Sequence, residues 1–316
     1  MSLASTATAA TYIERDDVQQ FIDRMVSQHQ FTRAELEPIF AAIEVQPKVL
    51  NSIKAPAEKK KQWHQYRAIF VTERRIAEGV DYWNSHSEKF KEAEAQYGVP
   101  AEIILAVMGV ETYYGRRTGG HPVLDSLVTL GFDYSKRGKF FRSELEHYFL
   151  LCREEGLPLT ELKGSYAGAM GKGQFIASSY RHYAVDKDGD GSRDLWGSDD
   201  DAIASIANYF AKHGWRSQQP VTQVIKTSVA VDDIDHSNKL KPSFSVDDLK
   251  AQGFNLETNY TGPYSLISLQ NKETKEYWLG YRNFYVITRY NHSAMYAMAV
   301  YQLSQELKKR IDLNAK

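Results

Sequence analysis

Among 316 residues there is one cysteine, Cys152, so no internal disulfide can hold this chain together. No run approaches the ~18 consecutive apolar residues that a membrane-spanning helix requires. An excess of charge of one sign is missing too: 39 basic residues stand against 40 acidic ones, for a net charge of −1. That balance argues against nucleic-acid binding driven by a broad field. The Lys59–Lys61 run is too short to alter this and reads as a solvated face. There is no internal repeat and no low-complexity tract. The opening MSLASTATAA has neither the charged n-region nor the apolar h-region of a signal peptide. It reads as a flexible start without a leader, and without an N-terminal cysteine this form carries no lipoprotein anchor. Compartment must therefore follow from function.

What is present points to a large, mainly helical protein. The length allows two or three domains and a sizeable core. Aromatic residues make up 12%, with 20 tyrosines among them, and exposed ones suit stacking on sugar rings. Cys152 falls one helical turn from Tyr148 and Phe149, the setting of a buried, inert thiol rather than a nucleophile. The segment PAEIILAVMGVETYYG, Pro100–Gly115, predicts a helix buried nearly all round. Glu111 interrupts it, with Met108, Val107 and Ile104 on its own face. A carboxyl group there is either partnered or desolvated, and desolvation raises its pKa toward neutrality, as a general acid needs. The plainer alternative is a glutamate at a helix end, solvated where the Gly115–Gly120 loop begins.

Along the chain, Val18, Phe21, Ile22 and Met25 mark a helix over 16–28, and Thr32 with Glu35 forms a capping box before Leu36, Ile39, Phe40 and Ile43. Helices are predicted at 66–78 and at Gly79–Tyr97, the latter stopped by Gly98. Arg116 to Lys139 reads as a loop rich in Gly, Arg and Lys, followed by helix over 140–155. Short helices are expected near Ser178–Tyr183 and over 202–213. Beyond Pro220 alternating patterns predict strands at Val221–Val231, Tyr264–Gln270, Glu276–Tyr281 and Phe284–Tyr290, with Asn271–Glu273 as a hairpin turn. Residues 293–312 return to helix, with Met295, Met298, Leu303 and Leu307 on one side. The expected fold class is α+β, mainly α, with a small antiparallel β insertion. The expected segments are a flexible start (1–11), an N-terminal helical region (12–78), a helical core with the acidic loop (79–217), the β-rich insertion (218–290) and a C-terminal helix returning to the core (291–316).

Two loops carry chemistry. In DKDGDGSRDLWGSDDD, Asp186, Asp188 and Asp190 occupy positions 1, 3 and 5 of an EF-hand pattern, with Gly191 at 6 and Ser192 at 7 supplying a backbone carbonyl. Oxygen ligands at that spacing suit calcium. Gly197 stands where a bidentate Glu belongs, so closure falls to Asp199–Asp201, with Asp201 as the candidate ligand. The metal-free alternative is an Asx-rich turn capping the next helix. The glycine-rich GSYAGAMGKGQF, Gly164–Phe175, lacks the GK[ST] ending of a phosphate-binding loop. Its small residues serve either close packing or the approach of a ligand, with Ser165 and Gln174 as polar groups.

GVETYYGRRTG (109–119), GSYAGAMGKGQFIASSY (164–180), the acidic loop, ANYFAKHGW (207–215) and ITRYNHSAMYAMAVYQL (287–303) occur in that order. Together they resemble the membrane-bound lytic transglycosylase B family, whose core is similar to goose-type lysozyme, over about Tyr66 to Leu303. The resemblance implies that Glu111 is the catalytic acid/base, and that Ser165 and Gln174 line the pocket around the scissile bond. It implies that Tyr66, Tyr209, Tyr290 and Asn291 belong to the sugar groove. Arg137 matches one of two family arginines that meet the peptide stem or sugar; Lys136 stands at the other position. Asp186, Asp188, Asp190, Ser192 and Asp201 match an extended EF-hand-like site, with one residue inserted between Trp196 and Asp201. For each tyrosine the alternative is core packing.

An ordinary glycosidase uses two carboxylates. The family resembles a one-carboxylate variant in which Glu111 protonates the glycosidic oxygen and then removes a proton from the C6 hydroxyl of the same muramoyl residue. The expectation is a periplasmic lytic transglycosylase cleaving the MurNAc–GlcNAc bond of peptidoglycan to a 1,6-anhydro product, with structural Ca2+ and no organic cofactor. Peptidoglycan strands are the implied partner, with room for other cell-wall enzymes and none for nucleic acid. A hydrolytic muramidase and a calcium-dependent, non-cutting peptidoglycan-binding module remain as alternatives.

Overall fold

The computed structural model describes residues 11–54, 61–225, 240–254, 256, 260 and 262–314. The flexible start expected at 1–11 lies almost wholly outside these, as do Lys59, Lys60 and the second half of the strand expected at Val221–Val231. Among the described residues the fold is mainly α with two small antiparallel sheets. The chain forms two compact units, one from 1–56, 118–170 and 174–182, the other from 57–117, 171–173 and 183–316.

The first unit opens with a 3₁₀ turn, Tyr12–Glu14, and then α1 (Asp16–His29), α2 (Arg33–Ala42) and α3 (Pro47–Lys54). Thr32 and Glu35 make the capping box that the sequence predicts. Val18, Phe21, Ile22 and Met25 are buried along α1. Phe21, Phe40 and Phe149 pack ring on ring at 5.8–6.3 Å between centroids. The stretch read as a loop from Arg116 to Lys139 instead contains a helix, α7 (Val123–Asp133). Its glycine- and arginine-rich flanks obscured an apolar segment whose Val123, Leu124, Leu127, Val128 and Leu130 are all buried. α7 packs against α8 (Gly138–Glu155), whose Arg142 backbone and side chain run over Gly131. Cys152 is buried there, and burial pushes its thiol up to about 12, so it stays protonated and unreactive. A two-residue pairing of β1 (His121–Pro122) with β2 (Lys163–Gly164) ties α7 to the glycine-rich loop. α9 (Ala177–Tyr183) follows, its first turn held by Glu144, which accepts from Ser178 N at 3.0 Å and Ser178 Oγ at 2.8 Å.

The second unit is built on α6 (Ala101–Thr112), in which Ala101 and every residue from Ile103 to Val110 are buried. Around it pack α5 (Glu73–Tyr97), α10 (Asp199–Lys212) and α13 (Ala294–Asn314), with α4 (Trp63–Phe70) against α13. The helix predicted at 66–78 is in fact two pieces. The chain breaks at Val71, and Thr72 caps α5 by accepting from Arg75 N. Gly79 therefore sits inside α5, where a Cβ would fall 2.3 Å from the Tyr114 hydroxyl; one at Gly109 would fall 2.8 Å from the same ring. These two glycines let the Tyr114 ring lie between α5 and α6. Gly98 ends α5 in the left-handed conformation, as predicted.

The β insertion is a three-stranded antiparallel sheet in the order β3 (Thr222–Ile225), β5 (Lys275–Gly280), β4 (Ser265–Gln270), with α11 (Val246–Ala251) packed on it. Asn271 donates to Thr274 O at 2.8 Å to close the predicted hairpin. The strand predicted at Phe284–Tyr290 is wrong: the segment is a helix, α12 (Arg282–Tyr290). Its aromatic and β-branched residues favour strand intrinsically, but Asn283, Phe284, Val286 and Ile287 are buried at helical spacing. The Asn283 amide is fully used, accepting from Arg216 N at 2.8 Å and donating to Arg216 O and Gln219 O. Helical backbone at 282–284 serves both that amide and the apolar stripe.

Candidate active site

Glu111 leaves α6 one residue before its end and is half-buried, while Ile104, Val107 and Met108 on its face are fully buried. Its carboxylate accepts from the hydroxyl of Tyr296 at 2.5 Å. Tyr296, buried in the first turn of α13, escaped the sequence reading although it lies inside the 287–303 motif. No local pattern marks it, since in the sequence it reads as one more tyrosine on the apolar side of the final helix. Burial, then the charge of Glu111, raise the Tyr296 hydroxyl well above its ordinary value, with Tyr290 and Tyr66 acting in the same direction. Tyr296 is thus a neutral, permanent donor. Tyr290 is shifted the same way by burial and then by Glu111, and donates to Gly173 O at 2.6 Å.

Immediately after Glu111 the backbone turns sharply, with Tyr113 and Tyr114 both at positive φ. Besides its backbone bonds, two side-chain bonds hold this turn: Tyr114 OH donates to Arg75 O at 2.9 Å, and Gly115 N to Thr112 Oγ1 at 2.9 Å. Thr112 Oγ1 itself donates to Lys172 O at 2.8 Å. Tyr209 is buried, stacks on His213 at 4.0 Å, meets Tyr290 edge-on at 4.8 Å and donates to Arg289 O at 2.7 Å. Tyr66 is buried against Trp63 and Phe70. Asn291 is exposed at the end of α12. The second unit therefore brings Glu111, Tyr66, Tyr290 and Tyr296 into one electrostatic group, with Tyr209 beside Tyr290.

Arg137, Ser165 and Gln174 belong to the first unit. Ser165 organises the glycine-rich loop: its Oγ accepts from Ala169 N at 3.0 Å and Ala167 N at 3.3 Å, and its N–H donates to Ala169 O. Gln174 has φ +51° and donates from Nε2 to Thr118 O at 2.9 Å. Gly119 runs so close to Gly164 O that a Cβ would lie 2.1 Å from it. Arg137 is exposed, its guanidinium 4.2 Å from the centre of the Phe140 ring; Lys136 is exposed beside it.

In the acidic loop, carboxylate oxygens of Asp186, Asp188 and Asp190 all lie within 4.8 Å of one another. Two oxygens bound to one calcium at 2.3–2.6 Å can be at most about 5 Å apart, so the cluster fits that ion. Backbone N–H groups orient it: Asp186 accepts from Gly189 and Gly191, and Asp190 from Ser192. Asp188 accepts from Ser198 Oγ, and Gly191 adopts φ +91° at the sharp turn. Asp201 lies outside the cluster, wholly buried in the first turn of α10. Its oxygens accept from Lys187 N at 2.7 Å and Asp194 N at 2.8 Å, closing the loop through its backbone. Burial pushes its carboxyl above the usual aspartate range, against those donors.

The family profile described as Transglycosylase SLT domain matches residues 14–305. Membrane-bound lytic murein transglycosylase B of Escherichia coli K12 is 40% identical over 305 residues, which is 93% of this chain and 83% of that protein. The catenated lytic transglycosylase SltB1 of Pseudomonas aeruginosa superimposes with a TM-score of 0.89 at 43% identity, over 95% of this chain and 99% of that one. The E. coli lytic transglycosylase Slt35 in complex with calcium gives 0.86 at 40% identity, over 94% of each. The chain belongs to the transglycosylase SLT-domain family and is an enzyme of its lytic murein transglycosylase class.

Proposed function

We propose that this enzyme cleaves the MurNAc–GlcNAc β-1,4 bond of peptidoglycan in the periplasm, leaving a 1,6-anhydro-muramoyl end, with Glu111 as its sole acid/base. The observation that carries the reading is the pairing of Glu111, on an otherwise apolar buried helix, with the Tyr296 hydroxyl. Apolar surroundings favour the uncharged acid before reaction. As the proton passes to the glycosidic oxygen Glu111 becomes a carboxylate, and the Tyr296 bond strengthens because its acceptor is now charged. That bond stabilises the transition state more than the ground state, which is what accelerates a step. The carboxylate then takes the proton of the C6 hydroxyl as that oxygen closes on C1. The attack is intramolecular, so positioning replaces an activated water.

Three other carboxylates of α5 and α6 are engaged elsewhere. Glu78 pairs with Arg74 and Arg116, Glu102 with Lys308, and Glu94 caps Ala101 N. Tyr66, Tyr209, Tyr290 and Asn291 in the second unit, with Arg137, Ser165 and Gln174 in the first, are the groups proposed to hold the glycan. Asp186, Asp188 and Asp190 with the Ser192 carbonyl would hold Ca2+, with Asp201 supporting them, and the ion would supply structural cross-linking of the loop. A calcium complex of the relative Slt35 supports this.

Digestion of purified sacculi followed by mass analysis tests the reaction. Anhydro ends are 18 Da lighter than hydrated, reducing ends. A digest dominated by reducing muramic ends would identify a muramidase instead, and absence of fragments a binding module.

A further inference from the structure

We infer that a cationic cavity beside the α12–α13 corner is a second binding pocket, one that takes the carboxylates of a peptidoglycan peptide stem. The inference rests on the reading that peptidoglycan is the substrate. The cavity, about 890 Å³, lies wholly within the second unit, walled by the start of α4, the segment before β4, the end of β4 and the corner between α12 and α13. Its cations come from three separate elements: Lys61, Lys241 and Arg289. Among the described residues that line it there is no carboxylate. Lys61 and Lys241 have no ion-pair partner among the described residues. The Arg289 guanidinium lies 4.2 Å from the centre of the Tyr285 ring and donates to Thr288 Oγ1 at 3.0 Å, while its buried Nε has no hydrogen-bond partner. An unpaired donor of that kind is costly unless a ligand meets it. The first turns of α4 and α13 also line the cavity, adding two positive helix ends.

Shape and lining select the class of anion. The volume is in the range of about 300–1,000 Å³ that takes a drug-sized ligand, more than one small anion fills. Trp63, Leu269 and Met295 alternate with the cations. A stem peptide has that same alternation, methyl-bearing alanines between residues with free carboxylates. Placement agrees: Arg289 directly precedes Tyr290 and Asn291, and its carbonyl holds the Tyr209 hydroxyl. A glycan lying on those groups brings its own stem to this wall.

The test titrates the whole protein calorimetrically with the free tetrapeptide L-Ala-γ-D-Glu-diaminopimelyl-D-Ala. Binding should weaken at least roughly tenfold in the double variant Lys61→Ala/Lys241→Ala, weaken with added salt, and vanish when the peptide carboxylates are amidated. Equal binding by the double variant at an unchanged melting temperature, or by the amidated peptide, overturns the proposal. So does inorganic phosphate displacing the peptide at equal concentration, which would make the cavity a general anion site. In parallel the wild type digests stem-bearing strands and amidase-stripped strands, and KM should be higher for the stripped ones. Cleavage of both with equal KM sinks this pocket alone. Cleavage of neither sinks the proposed reaction and leaves the calorimetric result standing.

Discussion

Glu111 and Asp186 are carboxylates of the same unit in opposite surroundings. Glu111 stands at the end of a helix whose adjoining face is fully buried, and a neutral tyrosine hydroxyl meets it. Asp186 stands in a half-exposed loop with two other carboxylates in its cluster, accepting from two backbone amides. The first environment makes a change of charge consequential and sets a neutral hydroxyl donor beside it, which suits proton transfer. The second holds several negative oxygens at fixed spacing, which suits a hard cation. Residue type alone does not separate these roles; the packing around each carboxylate does.

Four experiments break or sharpen that contrast. Glu111→Gln keeps shape and removes the proton chemistry, so turnover on sacculi should fall by roughly 10² or more with the melting temperature unchanged. Near-normal clearance by the folded variant would remove Glu111 from the mechanism. Tyr296→Phe deletes one hydrogen bond to a charged group, for a loss of about 10- to 100-fold. Because that donor favours the carboxylate, its removal raises the pKa of Glu111, and the alkaline limb of the rate profile should move to higher pH. An unshifted profile would make Tyr296 a packing residue.

The acidic loop should answer to calcium instead. With affinity on the order of 10⁻⁴–10⁻³ M, 10 mM calcium should stabilise the protein by about 1.4–2.7 kcal/mol. That is a rise of a few degrees in melting temperature, absent in Asp186→Ala. If millimolar calcium leaves wild-type unfolding unmoved, the loop is a turn and nothing more. Smallest is Ser198→Ala. Ser198 Oγ accepts from Asp201 N and donates to Asp188, so the change removes a helix cap and one orienting bond, at a cost of about 1 kcal/mol. The same loss with and without calcium would separate the cap from the metal cluster.

Elements with one strong local pattern were legible in the sequence. α6, the Thr32–Glu35 capping box, the Gly98 stop and the Asn271 hairpin each follow from spacing and turn chemistry within a few residues. The misread elements are those whose local signal points the wrong way. α12 is rich in strand formers, yet it is a helix that buries its apolar stripe and satisfies the Asn283 amide together. α7 was hidden by the composition of its flanks. The site divides the same way: Glu111 and the aspartate triplet are visible as interruptions of pattern, whereas Tyr296 is 185 residues from its partner and looks like any core tyrosine.

By itself the sequence determined the mainly helical class, the apolar helix that carries Glu111 and the carboxylate spacing of the acidic loop. Each of these is a statement about residues near one another in the chain, where periodicity and turn geometry act directly. Tertiary structure alone decided that Tyr296 donates to Glu111 and that Asp201 closes its loop through backbone amides. It alone brought Lys61, Lys241 and Arg289 from distant segments around one cavity. Those facts depend on which surfaces the packed helices and sheet bring together, and burial and hydrogen-bond satisfaction across long sequence separations leave no local pattern to read.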